Sequence, residues 1–454
     1  MRLNAAALLG YHGPAKLPHY DRARVTVGIL HLGIGSFHRA HQAVTLNDLL
    51  DETPGWGIRG ISLRRPDMAA ALNPQDGLYT LGIRAPDGLQ ARIIGSVLSV
   101  ETGEQAAVAH LADPAIRLVT ITVTEKGYAP DGPLARVLGK GLAQRAAHRA
   151  GPVTVLSCDN LTENGVHTGD LIRQAAPPDL RGWLDDQLAT PSSMVDRITP
   201  ATTRADRDEI AALTDLEDAW PVMTEPFSQW VIEDRFATDR PNFESAGVQM
   251  VGDVAPFEAM KLRLLNGAHT TLALLGPMLG HRTVAEAVAD PDLAALISRT
   301  ARSEVFPTLT LPETQLDRYW QDLLVRFSNP ALHHALAQIA ADSSQKLPMR
   351  LVAPWLERSD RGARAPGLCL AVAGWLATIR QARAPLSDPR DAELRRLAGS
   401  APEHMIAALA GQGAPLESLQ DRQNLHRDLA RALEKLEHIG PRAAIRELLE
   451  TAPS

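Results

Sequence analysis

The chain has 454 residues, enough for two domains, and its 45% hydrophobic and 22% charged content is that of an ordinary globular protein. A net charge of −7, dispersed basic residues and only 4% aromatics leave no electrostatic or stacking basis for binding nucleic acid or an anionic membrane. The two cysteines, Cys158 and Cys369, exclude a disulfide framework and argue against a cysteine zinc site.

The opening MRLNAAALLGYHGP lacks the apolar core and cleavage pattern of a secretory signal, so a cytoplasmic location is expected. Residues 25–32 (VTVGILHL) read as a strand ending at Gly33 and Gly35, and residues 40–50 follow with helical spacing at Ala43, Leu46, Leu49 and Leu50. Further strands are expected at 58–63, 93–100, 116–123 (IRLVTITV) and 153–157 (VTVLS), with helices over 104–111 and 134–150. Alternating strands and helices predict a doubly wound α/β domain with a parallel sheet. After about residue 255 helical patterns dominate: 257–276, 283–305, 314–326, 330–341, 367–382, 390–398, 402–410, 418–438 and 440–451. The boundary is expected near residue 240, giving domains of 1–240 and 241–454. The run 368–379 is about twelve residues long, too short for a bilayer, and reads as a buried helix.

Three features carry chemistry. Gly33-Ile34-Gly35 stands where a dinucleotide-binding turn would, two glycines letting the backbone approach a pyrophosphate at a helix N-terminus. Phe37-His38 replaces the usual third glycine, so a plain strand–helix turn stays open. Asp67 is the expected acid after the second strand, favouring NAD through its ribose hydroxyls. Arg64 or Arg65 would instead suit a 2′-phosphate, and a solvated turn is the third alternative. His31, His38 and His41 lack a carboxylate or cysteine at ligand spacing, so packing or hydrogen bonding near the turn is expected and no metal. Finally, Glu258, Lys261, Asn266 and His269 fall within an arc of roughly 140° on an otherwise apolar helix. Such a quartet is either a ligand site or a buried hydrogen-bond network.

The segments HLGIGSFHRAH (31–41), TVTEKGY (122–128), SCDNL (157–161), MVDRITP (194–200), EPFSQWVIED (225–234), KLRLLNGAH (261–269) and RFSNP (326–330) together resemble one family. It is the long-chain mannitol dehydrogenase family, zinc-independent polyol and uronate oxidoreductases. The resemblance, from about residue 25 to about 380, implies an N-terminal Rossmann-like doubly wound α/β domain and a mostly α-helical C-terminal domain. It implies hydride transfer between NAD(H) and an open-chain sugar acid or polyol. The partner is thus a small molecule, without nucleic acid or membrane, and the chain a monomer or small homo-oligomer. It places the catalytic lysine on Lys261, alkoxide-stabilising amides on Asn160 and Asn266, and an orienting imidazole on His269. Glu258 becomes a proton relay, with a simple i,i+3 ion pair as the rival reading. Asp196 becomes a substrate contact, with a structural ion pair to Arg197 or elsewhere as the rival. Cofactor contacts fall on Gly33, Gly35, Ser36, Phe37, Arg64, Asp67, Thr124 and Glu125.

Within the family, the EKGY segment, the run FEAMKLR (257–263) and SQKLP (344–348) are closest to fructuronate reductases (fructuronate to mannonate). A uronate needs a cationic partner for its carboxylate, and Lys126 and Lys346 are the candidates, unless they are solvated surface lysines. Mannitol or arabinitol dehydrogenase is the alternative, since the 129–150 segment is as short as in arabinitol enzymes. A non-catalytic nucleotide sensor on this fold is a third reading, and the intact Lys261, Asn160, Asn266 and His269 set speaks against it.

Overall fold

The computed structural model describes residues 1–451, which fall into two units, the second beginning at Pro256. Among these residues the N-terminal unit contains β1 (Val27–Leu32), β2 (Gly57–Ser62), β3 (Tyr79–Ala85), β4 (Gly88–Ile94), β5 (Val97–Thr102) and β6 (Leu118–Ile121). It continues with β7 (Val153–Ser157), β8 (Leu188–Ala189), β9 (Ser193–Asp196), β10 (Val222–Thr224), β11 (Gln229–Glu233) and β12 (Gln249–Val251).

A six-stranded sheet has the order β5-β2-β1-β6-β7-β8, every neighbour parallel. Both faces are covered, which is why its strands are apolar throughout rather than alternating. Ile29, Leu118 and Leu156 pack on one side, and Leu30, Leu32, Val119, Ile121 and Val155 on the other. From β1 the chain order runs outward one way through β2 and β5, and the other way through β6, β7 and β8. The carboxyl ends of β1 and β6 therefore flank the point of reversal, where doubly wound sheets open a ligand crevice. The short 129–150 segment is a single crossover helix, Pro133–Ala147, from β6 to β7. Its end is tied down by the buried Arg145 guanidinium, which donates to the carbonyls of Leu111, Asp113, Ala150, Gly151 and Pro152 at 2.8–3.1 Å.

Three local expectations are corrected. Residues 93–100 are not one strand: β4 ends at Ile94 and β5 begins at Val97. The corner between them is held by distant groups: Asn47 accepts from Gly95 N (2.9 Å), Arg22 donates to Gly95 O (2.9 Å), and Ser96 donates to Ala43 O (2.6 Å). The helix expected over 40–50 starts at Ser36, breaks at His41 (φ −123°, ψ −86°) and resumes over Gln42–Leu49. His41 Nε2 donates to Gln229 O at 2.9 Å, a bond across the fold that favours the break. The segment 241–255 belongs with the N-terminal unit, beyond the expected limit of 240, because β12 pairs with β11 from Val231–Gln249 to Glu233–Val251.

The C-terminal unit is helical. Its central element is the helix Pro366–Gln381, buried on nearly every face, as the apolar run 368–379 predicts. Its N-terminus is capped from another segment: Glu304 accepts from Gly367 N (2.8 Å) and Leu368 N (2.9 Å). No described helix is long and apolar enough to cross a membrane.

Glu304 makes stability depend on pH. Burial pushes its carboxyl from 4.5 up to about 7, outweighing the two N–H donors that favour the anion. The fold therefore prefers the protonated form. Glu304's contribution is full below about pH 4.5 and is lost as pH rises through 7, a swing of about 3 kcal/mol. Urea midpoints at acidic and mildly alkaline pH are expected to diverge less in Glu304→Gln than in the parent chain. Equal divergence in both proteins would remove Glu304 as the source.

Candidate functional site

In the N-terminal unit, the turn after β1 is shaped by neighbours that the glycine pattern does not reveal. Gly33 has φ +95°, and a Cβ there would lie 2.1 Å from Thr122 O, so only glycine fits. Gly35 N closes on Gly33 O (2.7 Å), and Ser36 and Phe37 open the short helix Ser36–Ala40. Thr122, just past β6, donates its hydroxyl to Gly33 O at 2.8 Å. Its lone pair then accepts from His31 Nε2–H (3.0 Å), and His31 Nδ1 accepts from the Thr120 hydroxyl (2.8 Å), which assigns the tautomer. Burial lowers the His31 pKa to about 3, so the ring is neutral. His38 stacks on it at 3.3 Å between centroids, 12° from parallel. These stacked imidazoles occupy the helix–strand contact that a third glycine ordinarily serves. Among the described residues, no group of three His, Cys, Asp or Glu side chains is arranged to hold a metal.

The TEKGY segment is pinned by Asp159, two residues past β7 and buried. Its carboxylate accepts from Val123 N (3.1 Å), Thr124 N (2.8 Å) and the Tyr128 hydroxyl (2.9 Å). Thr124 is held at φ +70°, a left-handed conformation that a β-branched residue rarely adopts. The turn Glu125–Gly127 follows, with Glu125 and Lys126 exposed. Asn160, adjacent to Asp159, is exposed at the same carboxyl edge of the sheet. The carboxyl ends of β1, β6 and β7 thus present Gly33, Thr124 and Asn160 together. Asp67 opens the helix Asp67–Leu72 beyond β2, exposed beside exposed Arg64 and Arg65. Asp196 is the buried last residue of β9, opposite Gln229. Its neighbour Arg197 directs its guanidinium to the carbonyls of Ala40 (2.5 Å) and Glu225 (3.0 Å).

In the C-terminal unit the expected continuous α-helix is interrupted. Ala255–Met260 is α-helical, Lys261–Asn266 is π-helical, and Gly267–Leu275 is α-helical again. In an α-helix Lys261 and Asn266 would be roughly 140° apart. The i→i+5 bonding of a π turn narrows the angle between residues five apart, bringing these two toward one face of the helix. Glu258 is one α turn before Lys261. His269 and Thr270 follow Asn266 by three and four residues, and the Thr270 hydroxyl donates to Asn266 O (2.8 Å). His269 is buried, its ring 4.4 Å from Phe327 and edge-on to His334 at 5.0 Å. A second π segment, Pro348–Val352, packs on the first. A Cβ at Gly267 would lie 3.2 Å from Arg350 O, so glycine permits that approach. Lys346 donates to the carbonyls of Ala341 (2.5 Å) and Ile339 (3.4 Å).

His31 lies at the turn, as expected, but Thr122, Asp159 and Arg350 were not singled out from the sequence. The signal for Thr122 and Asp159 lay inside the quoted motifs; Arg350 had none, because its setting is made by contacts distant in sequence.

The profile of the mannitol dehydrogenase Rossmann domain matches residues 27–245, and that of the mannitol dehydrogenase C-terminal domain matches residues 253–437, beyond the reach of the motifs. The chain is 35% identical to the mannitol 2-dehydrogenase of Pyrenophora tritici-repentis (strain Pt-1C-BFP), covering 98% of this chain and 86% of the relative. It is 37% identical to the D-mannonate oxidoreductase of Escherichia coli (strain K12), covering 80% and 82%. Its fold is similar to that of Pseudomonas fluorescens mannitol 2-dehydrogenase, solved as a ternary complex with NAD and D-mannitol, with a TM-score of 0.85, 32% identity and 100% coverage of both chains. With both domain profiles matched in order, the chain belongs to the mannitol dehydrogenase family of oxidoreductases.

Proposed function

We propose that this oxidoreductase uses NAD(H) to interconvert a keto-sugar acid and its alcohol, reducing fructuronate to mannonate. The observation that carries the reading is the π turn, which turns Lys261 and Asn266 toward one face of the helix in a chain of this family. The bound nicotinamide supplies or accepts the hydride. Lys261 as ammonium gives a proton to the developing alkoxide during reduction, and as free amine takes it during oxidation. Asn266 donates an amide N–H to the same oxygen, and the family resemblance assigns Asn160 the same role. His269 orients the substrate oxygen, Glu258 passes the proton on toward water, and Asp196 binds substrate hydroxyls.

For the cofactor, the residues fit. Gly33 and Gly35 leave the backbone bare, and a Cβ at Gly35 would meet only Gly33 O at 3.8 Å. Ser36 and Phe37 open the helix after that turn, and the family resemblance assigns Thr124, Glu125, Arg64 and Asp67 to the cofactor with them. Thr122→Val removes the hydroxyl joining His31 to the Gly33 carbonyl. The variant is expected to bind NADH about tenfold more weakly, while Thr122→Ser stays near the parent chain. Equal dissociation constants in both variants, by NADH fluorescence titration, would dismiss this support.

A second reading, oxidation of neutral polyols such as mannitol or arabinitol, is favoured by the 35% identity to a mannitol 2-dehydrogenase. NADH oxidation assayed with fructuronate, tagaturonate, fructose and xylulose separates the two. Turnover of fructose or xylulose with none of either keto-uronate would reject the sugar-acid reading.

A further inference from the structure

Arg350 is a half-buried cation without a matching anion. Its guanidinium donates to the Thr270 hydroxyl at 3.2 Å, and among the described residues no carboxylate pairs with it. Three other arginines of the C-terminal unit are paired with carboxylates. Arg263 makes a two-pronged contact with Glu357 (2.8 and 2.5 Å), Arg380 pairs with Glu437 (2.6 Å) and Arg390 with Glu393 (2.7 Å). Burial alone lowers the Arg350 pKa to about 10, with no neighbouring charge to offset it. A partly buried guanidinium paired only with a neutral hydroxyl is costly, and an arriving anion would relieve that cost.

Its position gives the anion an identity. Thr270, which holds Arg350, bonds to the carbonyl of Asn266 and lies one α turn beyond it. Asn266 is turned toward the face of Lys261 by the π turn, and the Arg350 backbone closes on Gly267. Arg350 therefore abuts the helix face that carries the proposed acid–base chemistry. A guanidinium presents a planar fork of donors that matches a carboxylate, which an ammonium such as that of Lys126 or Lys346 does not.

We propose that Arg350, steadied by Thr270, binds the substrate carboxylate and is the residue that selects a keto-uronate over a neutral ketose. This rests on the sugar-acid reading of the Lys261 site.

Steady-state reduction of fructuronate and of D-fructose, with NADH, tests it in the parent chain, Arg350→Gln, Arg350→Lys and Thr270→Val. Arg350→Gln is expected to raise the fructuronate KM roughly 10- to 100-fold, leaving the fructose KM and the NADH dissociation constant unchanged. Arg350→Lys recovers part of the loss. If Arg350→Gln does not fold, Thr270→Val is expected to give a smaller shift of the same sign, and unaltered selectivity there overturns the assignment. Equal losses on both substrates would make Arg350 a structural prop, and weakened NADH binding would move its anion to the cofactor; either result overturns it. If the parent chain reduces fructuronate and Arg350→Gln keeps its KM, the Arg350 assignment falls and the sugar-acid reading stands. If the parent chain reduces no keto-uronate, both fall.

Discussion

Lys261→Ala is expected to lower kcat for ketone reduction by about 10³- to 10⁴-fold, with NADH affinity and thermal stability close to those of the parent chain. The magnitude follows from what is removed. Without the ammonium, the developing alkoxide has amide donors but no proton source of matched acidity, so water must serve. The π turn would still place Asn266, so binding should survive while chemistry fails, a loss in kcat rather than in KM. A pH signature accompanies it. Oxidation needs the free amine and rises with pH, while reduction needs the ammonium and falls over the same interval. Both trends should flatten in the variant when chemistry limits the rate. A Lys261→Ala protein with more than about a tenth of the parent kcat would end the acid–base assignment.

Asp159→Ala carries the second large effect, and it is one of stability first. Three donors converge on this carboxylate: the backbone N–H groups of Val123 and Thr124, and the Tyr128 hydroxyl. Alanine leaves the two N–H groups without their acceptor in a mostly buried setting, while the Tyr128 hydroxyl keeps Ser157 Oγ, at a cost of about 2–4 kcal/mol in total. Thr124 could then relax from φ +70°, because the bond from its own N–H is what holds it there. The 123–128 turn would lose its shape, and the groups proposed to border the cofactor would lose theirs with it. Asp159→Asn keeps one acceptor but turns an amide N–H toward the other donors, so an intermediate loss is expected. Urea denaturation of the three proteins measures this. A midpoint for Asp159→Ala matching the parent would show that the turn does not depend on the carboxylate.

Much of this protein was legible because burial writes a periodic signal. The strand at 153–157 matched residue for residue, and the central helix was visible as the run 368–379, since both are apolar on all sides. Failures occurred where distant groups overrule local preference. The break at His41 accompanies a bond to the Gln229 carbonyl, and the corner at Gly95 is held by Asn47, Arg22 and Ser96. Neither has a local pattern, because the deciding partner lies in another part of the chain.

The same division runs through the candidate site. Residue types and spacing alone determined that Glu258, Lys261, Asn266 and His269 share one polar stripe, and that two glycines follow the first strand. They could not determine how wide the stripe is. An α-helix spreads it over roughly 140°. Only the packed structure reveals the π turn that draws Lys261 and Asn266 together, with a second π segment packed against it. Nor could spacing reveal that Gly33 is fixed through Thr122 and His31, or that Arg350 lacks a carboxylate. Periodicity records which side of an element is buried. It does not record which groups, far apart in the chain, end within hydrogen-bonding reach, and those contacts set the geometry on which the chemistry depends.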